Sequence, residues 1–146
     1  MADKAQSFEN HAQIVPMFHY VTLGILQLTL IGACVNLYQS WGDHARFYSA
    51  SLLVTLTLGT ILAALYARSF ALRAQDRAIR AEEQLRHYVL TGKLLDTRLT
   101  VKQIIGLRFA SDEEFVALAQ RAADQNLSTK DIKQAVKTWR PDTYRV

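Results

Sequence analysis

Four histidines, His11, His19, His44 and His87, are the side chains suited to hold a metal, a haem or a pigment. The apolar run Met17–Tyr38 separates His19 from His44, so the two cannot share one ion if that run crosses a bilayer. A single axial contact from His19 to a pigment or haem held mainly by a partner stays open. The alternative is an interfacial histidine bonded to headgroups or backbone. Cys34 lies among apolar residues that disfavour its thiolate, and one cysteine excludes both a disulfide framework and a cysteine-ligated zinc site. No glycine-rich phosphate loop, HExxH pair or nucleophile elbow occurs. The expectation is therefore a protein that is not an enzyme and has no cofactor of its own, with lipid or pigment contacts at most. A second kind of chemistry is suggested by Lys130, Lys133, Lys137 and Arg140, which fall on one side of a helix running from Thr129 to Trp139. With the Asp112–Gln125 helix and the turn between them, they outline a helix-turn-helix that could enter a major groove. The neighbouring Asp112, Glu113, Glu114 and Asp124 weigh against nucleic acid, and a lysine-rich helix beside the inner leaflet would instead meet acidic lipid or an acidic partner.

The elements that must position these residues follow from the distribution of charge. Of 146 residues, half are hydrophobic and 21% charged, but the charges are segregated. Asn10–Gly42 and Phe47–Ala67 contain no Asp, Glu, Lys or Arg, whereas Arg68–Val146 holds 15 of the 17 basic and 10 of the 13 acidic residues. Residues 17–38 and 47–67 are each long enough, at about 1.5 Å per residue, to span a hydrocarbon core of about 30 Å. The connector Gln39–Arg46 is short enough to force an antiparallel hairpin over 17–67. Tyr38, Trp41 and Tyr48 cluster at that turn, and Phe18 and Tyr20 lie at the other end, where aromatic rings anchor helices at the interface. Ile31-Gly-Ala-Cys34 resembles a lipoprotein cleavage box, but a leader with only Lys4 against Asp3 and Glu9 points to an uncleaved helix.

In lipid, helices associate through close approach of small residues. Ser51, Thr55, Gly59, Ala63 and Ala67 recur every four residues in the second span, and Gly24 and Gly32 offer a counterpart in the first. The expectation is intrachain packing of the glycines against this ladder, with a partner helix as the alternative. After a segment 1–16 and the hairpin, residues 68–99 read as a helix extension and linker. Ala67, Ala71, Ala74, Ala78, Ala81, Leu85 and Tyr88 form a heptad seam there. Arg68, Arg73, Arg77 and Arg80 are placed to meet anionic headgroups, and Thr91-Gly92 is a helix stop. Residues 100–146 form a three-helix tail. Thr100/Gln103 and Ser111/Glu114 read as capping boxes, and Ser128 with Asp131 starts the third helix, which Pro141 ends. Ile132, Val136 and Trp139 are its apolar face, a candidate for partner docking. The fold class is all-α: a transmembrane helical hairpin with a cytoplasmic helix extension and a small helical tail.

Asn10-His11, Val15-Pro16 and Phe18-His19 precede the first span, and Phe70-Ala71-Leu72 and Gln75-Asp76-Arg77 follow the second. Together with Ile105–Glu114 and Ile132–Asp142, these phrases resemble a family of small bacterial two-helix membrane proteins classed as a domain of unknown function. The resemblance implies a bacterial inner-membrane hairpin with a helical tail and carries no activity. The functional expectation is a non-catalytic accessory or scaffold subunit. Its partners would be larger integral membrane proteins of a photosynthetic or respiratory assembly. The alternative is a membrane-tethered regulator whose tail binds nucleic acid.

Orientation follows from the excess of arginines after Ala67, against the lone Arg46 in the turn. The positive-inside rule then puts both termini in the cytoplasm. A reporter that requires the cytoplasm, fused after Val146, is expected to be active. Activity of a periplasm-requiring reporter at that position would reverse the orientation.

Overall fold

A computed structural model describes residues 6–10 and 14–142. His11 and parts of the 1–16 and 100–146 segments therefore lie outside the described residues. The described chain is all-helical, with one isolated antiparallel bridge, Ala110 to Trp139. It divides into two units, residues 14–71 and residues 1–13 with 72–146.

In the first unit, a π-helical start, Met17–Thr22, leads without a break into α1, Leu23–Gln39. Ser40 closes α1 by donating its hydroxyl to the Asn36 carbonyl at 2.7 Å. Gly42 takes φ +95°, a left-handed conformation that suits glycine in a tight turn. Helix α2, His44–Thr91, begins just past it, with the Asp43 carboxylate accepting from the Arg46 backbone N–H at 3.2 Å. Met17–Gln39, the π-helical start with α1, and α2 are each long and apolar enough to cross a membrane. At the far end from the turn, the Arg68 guanidinium lies 5.7 Å over the Phe18 ring.

The covered residues alternate by three and four along each helix. On α1 they are Leu23, Leu26, Leu30, Ala33 and Leu37, and on α2 Ala50, Val54, Thr57, Ile61 and Ala64. This differs from the expected packing. Gly32, Thr55, Gly59, Ala63 and Ala67 are exposed, Gly24 and Ser51 only half-covered. A Cβ added at Gly24, Gly32 or Gly59 would meet nothing within 4 Å. The physical reason is periodicity. Steps of four drift round a helix by about 40° each, whereas alternating steps of three and four stay on one side.

In the second unit, α2 ends at Thr91, with Gly92 at φ +71° and its N–H donating to the Tyr88 carbonyl at 2.7 Å. Helices α3 (Val101–Leu107), α4 (Asp112–Asp124) and α5 (Thr129–Ala135) follow. Phe109, Phe115, Leu107 and Ile132 are fully buried, joined by Leu95, Leu99, Ile104, Leu118, Ala122 and Val136. At roughly 1.5–3 kcal/mol for each large side chain, this core is the main stabilising term for the tail. The Thr100/Gln103 box closes as expected, and the Gln103 side-chain amide also donates to the Leu127 carbonyl at 2.9 Å. The Ser128/Asp131 box closes too.

Two expectations fail in the tail. Ser111 caps α4 without a side-chain bond, because the Glu114 carboxylate instead accepts from the backbone N–H groups of Lys137 and Thr138, at 3.0–3.2 Å. The last helix stops at Ala135 rather than Trp139, and Val136 is extended. The chain then runs beside the 109–111 segment. Ser111 N–H donates to the Thr138 carbonyl at 3.1 Å, and Arg140 N–H to the Phe109 carbonyl at 2.8 Å. Extension lets the indole of Trp139 lie on the Phe109 ring, with centroids 4.8 Å apart. A continued helix would forgo those bonds.

Gly106 is the tightest point between α3 and α5. A Cβ there would meet Ile132 Cγ2 at 3.2 Å and the Thr129 carbonyl oxygen at 3.4 Å. Gly106→Leu is expected to lower the unfolding free energy by about 1–3 kcal/mol through overpacking. For Gly106→Ala the strain is offset by a gain in helix propensity of up to about 1 kcal/mol, leaving a small net change. Denaturant titration of the full chain in micelles, followed by Trp139 fluorescence in a Trp41→Phe background, measures both. Equal stability of the two variants would mean that α3 and α5 are not in close contact.

Candidate functional site

The second unit holds a polar cleft of about 290 Å³, lined by Gln75, Ile79, Glu83, Arg108, Arg140 and Asp142 among others. Its α2 wall arises from helical spacing: Ile79, Glu83 and Arg86 fall on one side of the helix and are its most covered residues there. Glu83 is held by Arg86, Oε2 to Nη1 at 3.0 Å, with side chains only 6% and 11% exposed. Arg86 also donates through Nε to Asp112 at 2.7 Å and through Nη2 to the Ala110 carbonyl at 2.7 Å, and stacks 4.2 Å from the centroid of Phe115. Arg140 reaches the other Glu83 oxygen at 3.8 Å. Arg108, almost wholly buried, pairs with Asp142 at 3.0 Å and lies over the Phe109 ring. The Asp142 backbone is pinned by Gln6, whose side-chain oxygen accepts from its N–H at 2.8 Å.

Glu83 and Asp142 thus pair with Arg86, Arg140 and Arg108, and the exposed Glu82 stands at the rim. The charges of the two signs nearly balance, so the cleft favours neither an anion nor a cation. Its chemistry is that of a joint. It seats residues 140–142 through ion pairs to Glu83 and Arg108, whose side chains are largely withdrawn from water.

A second charged group lies at the surface. Arg98 bonds Asp96 at 2.6 Å and Asp124 at 2.8 Å. Hydrogen bonding from Arg98 lowers the Asp96 pKa to about 2. The bonds from Gln120 and Arg98 hold Asp124 below the usual carboxylate range, and Arg98 is raised in turn by Asp96 and Asp124. Because the folded value of Asp96 lies below the unfolded one, its contribution is full above about pH 4 and is lost as pH falls through about 2. The Ser111 hydroxyl, spared from capping, bonds Glu113 and lowers its pKa.

The other residues named from sequence are dispersed. His19 Nδ1 lies 2.9 Å from the Val15 carbonyl and 3.1 Å from the Val15 N–H; in the tautomer that donates Nδ1–H to that carbonyl, Nε2 keeps the lone pair that could reach a haem or pigment. His44 is exposed at the start of α2, and His87 Nδ1 lies 2.7 Å from the Lys93 carbonyl. Among the described residues, no three His, Cys, Asp or Glu side chains group to hold a metal. Cys34 is exposed on α1. Arg68 is half-covered, whereas Arg73, Arg77 and Arg80 are exposed. Ile132 and Val136 are buried in the tail's own core, with Trp139 packed against it, so the face expected to dock a partner is covered by the chain itself. The basic stripe does not form on one helix. Lys137 and Arg140 lie beyond α5, and Lys133 Nζ sits 5.4 Å from the Phe109 centroid.

A family model described as "Family of unknown function (DUF6526)" matches residues 1–146. The chain belongs to that family. No curated protein matches it, and no solved structure does. The charged joint was not foreseen from sequence, although Glu83 and Arg86 stand three apart on the side of α2 that carries Ile79, a spacing at which helical side chains meet.

Removing one member of a buried pair strands the other. Arg86→Met is expected to cost about 3–5 kcal/mol of tail stability, because Glu83 keeps only the distant Arg140. Arg86→Met with Glu83→Gln should cost clearly less than the single variant. A double-mutant cycle on the full chain, read by denaturant unfolding, measures the coupling. Simple additivity would show that the pair is not a joint.

Proposed function

We propose that this protein is a non-catalytic accessory or scaffold subunit of a larger bacterial inner-membrane assembly, of the photosynthetic or respiratory kind. In this reading the two apolar helices cross the membrane, both termini face the cytoplasm, and larger integral proteins contact the hairpin from outside. The observation that carries it is the exposure of the apolar helices. Ile25, Leu28, Leu56 and Leu62 each leave more than half of their surface uncovered. The core helix of a water-soluble domain buries such residues, and exposed apolar surface on this scale needs lipid or protein over it. Arg73, Arg77 and Arg80 then lie just past the second span, where anionic headgroups attract them.

The nucleic-acid alternative loses its main support, since α5 ends at Ala135 and carries only part of the basic set.

The test is purification of the tagged full chain from native membranes in mild detergent, with mass spectrometry of what accompanies it. Integral membrane proteins in reproducible stoichiometry are the expected result. Release of the chain by alkaline carbonate would overturn the membrane reading. Recovery without any other integral protein would overturn the accessory role.

A further inference from the structure

We propose that the outer side of α2 between Ala74 and Tyr88 binds a second copy of this chain as a parallel two-stranded coiled coil. This names a partner within the reading above, and rests on it for the direction of the helices. The tail covers α2 from one side only, over Ile79, Glu83 and Arg86. Turned away from it, Ala74, Ala78 (at the rim of the cleft), Ala81, Leu85 and Tyr88 alternate by four and three and are all exposed. Leu85 is 64% exposed, Tyr88 53% and the flanking Val89 75%. They lie about 27 Å or more along the helix beyond Ala67, past where a hydrocarbon core ending near that residue could cover them.

Charge selects the occupant. With Ala78 and Leu85 at position a, and Ala74, Ala81 and Tyr88 at position d, Arg77 falls at g and Glu82 at the following e. In a parallel homodimer, g of one helix meets the following e of the other, so Arg77 faces Glu82 of the second copy. Two-fold symmetry makes the pair twice. Copies inserted with one topology are necessarily parallel. An alanine seam brings the backbones close but buries little area, and confinement of both copies to one membrane raises their effective concentration.

The test uses the full chain in native membranes with Cys34→Ala as background. Ala81→Cys sits at the seam, and Arg80→Cys, exposed on the flank, is the control. A short bis-maleimide is expected to link two Ala81→Cys chains roughly tenfold more than two Arg80→Cys chains, because d positions face each other. Arg77→Glu and Glu82→Arg should each reduce the Ala81→Cys dimer several-fold, roughly as like charges at e and g do, and the double exchange should restore it. Linkage no greater than the control, linkage only to a different protein, or no restoration by the double exchange would overturn the proposal. If the chain resists carbonate extraction while the seam fails to link, the dimer alone falls. If carbonate releases it, the membrane reading falls as well.

Discussion

Arg86 is the constraint on which the tail depends. Its planar group meets Glu83 on its own helix, Asp112 at the head of α4, the Ala110 carbonyl in the loop between, and the face of Phe115 in the core. Only a guanidinium offers that many donors in one plane together with a surface that stacks on an aromatic ring. A lysine at this position could hold one carboxylate but could not register three segments at once. The geometry also pairs Glu83 in a place with little access to water, and its other oxygen lies 3.8 Å from Arg140. The joint therefore runs from the last third of the long helix to the last described residues.

The far side of the joint explains why the tail does not end as three regular helices. Glu114 could have closed a capping box on Ser111, worth about 1 kcal/mol. It satisfies two backbone N–H groups of the extended 137–138 segment instead, while Trp139 covers Phe109 and Arg108 finds Asp142. Several modest interactions together outweigh one local signal. The same choice dissolves the basic stripe, since a chain extended after Val136 no longer lines up Lys130, Lys133, Lys137 and Arg140 on one side.

Along the apolar helices, the covered side follows the alternation of three and four and not the glycines. Leu23, Leu26, Leu30 and Leu37 keep to one side of α1, and Ala50, Val54, Thr57 and Ile61 to one side of α2. The ladder of small residues is left outside, with the polar atoms of Ser51 and Thr55 returned to their own backbone. Farther along α2, the tail covers one side and leaves the alanine seam uncovered. One helix of 48 residues thus keeps an outer surface for most of its length.

The sequence by itself determined the elements. Two long uncharged runs, a four-three alternation without Gly or Pro through Leu90, and capping boxes at Thr100 and Ser128 are local signals, and a local signal is read from neighbours in the chain. Helix α2 and the starts of α3 and α5 therefore stand where those signals put them. Tertiary structure decided which signals prevail where two compete. Whether Glu114 caps a helix or holds a distant segment depends on residues 23 and 24 positions away. Whether Trp139 extends a helix depends on Phe109 being within reach, and whether Gly59 packs depends on which side of α2 is covered. A buried Glu83 with its arginines is the clearest instance. Charge on a helix reads as solvated surface until another part of the chain excludes the water, and no local pattern carries that information.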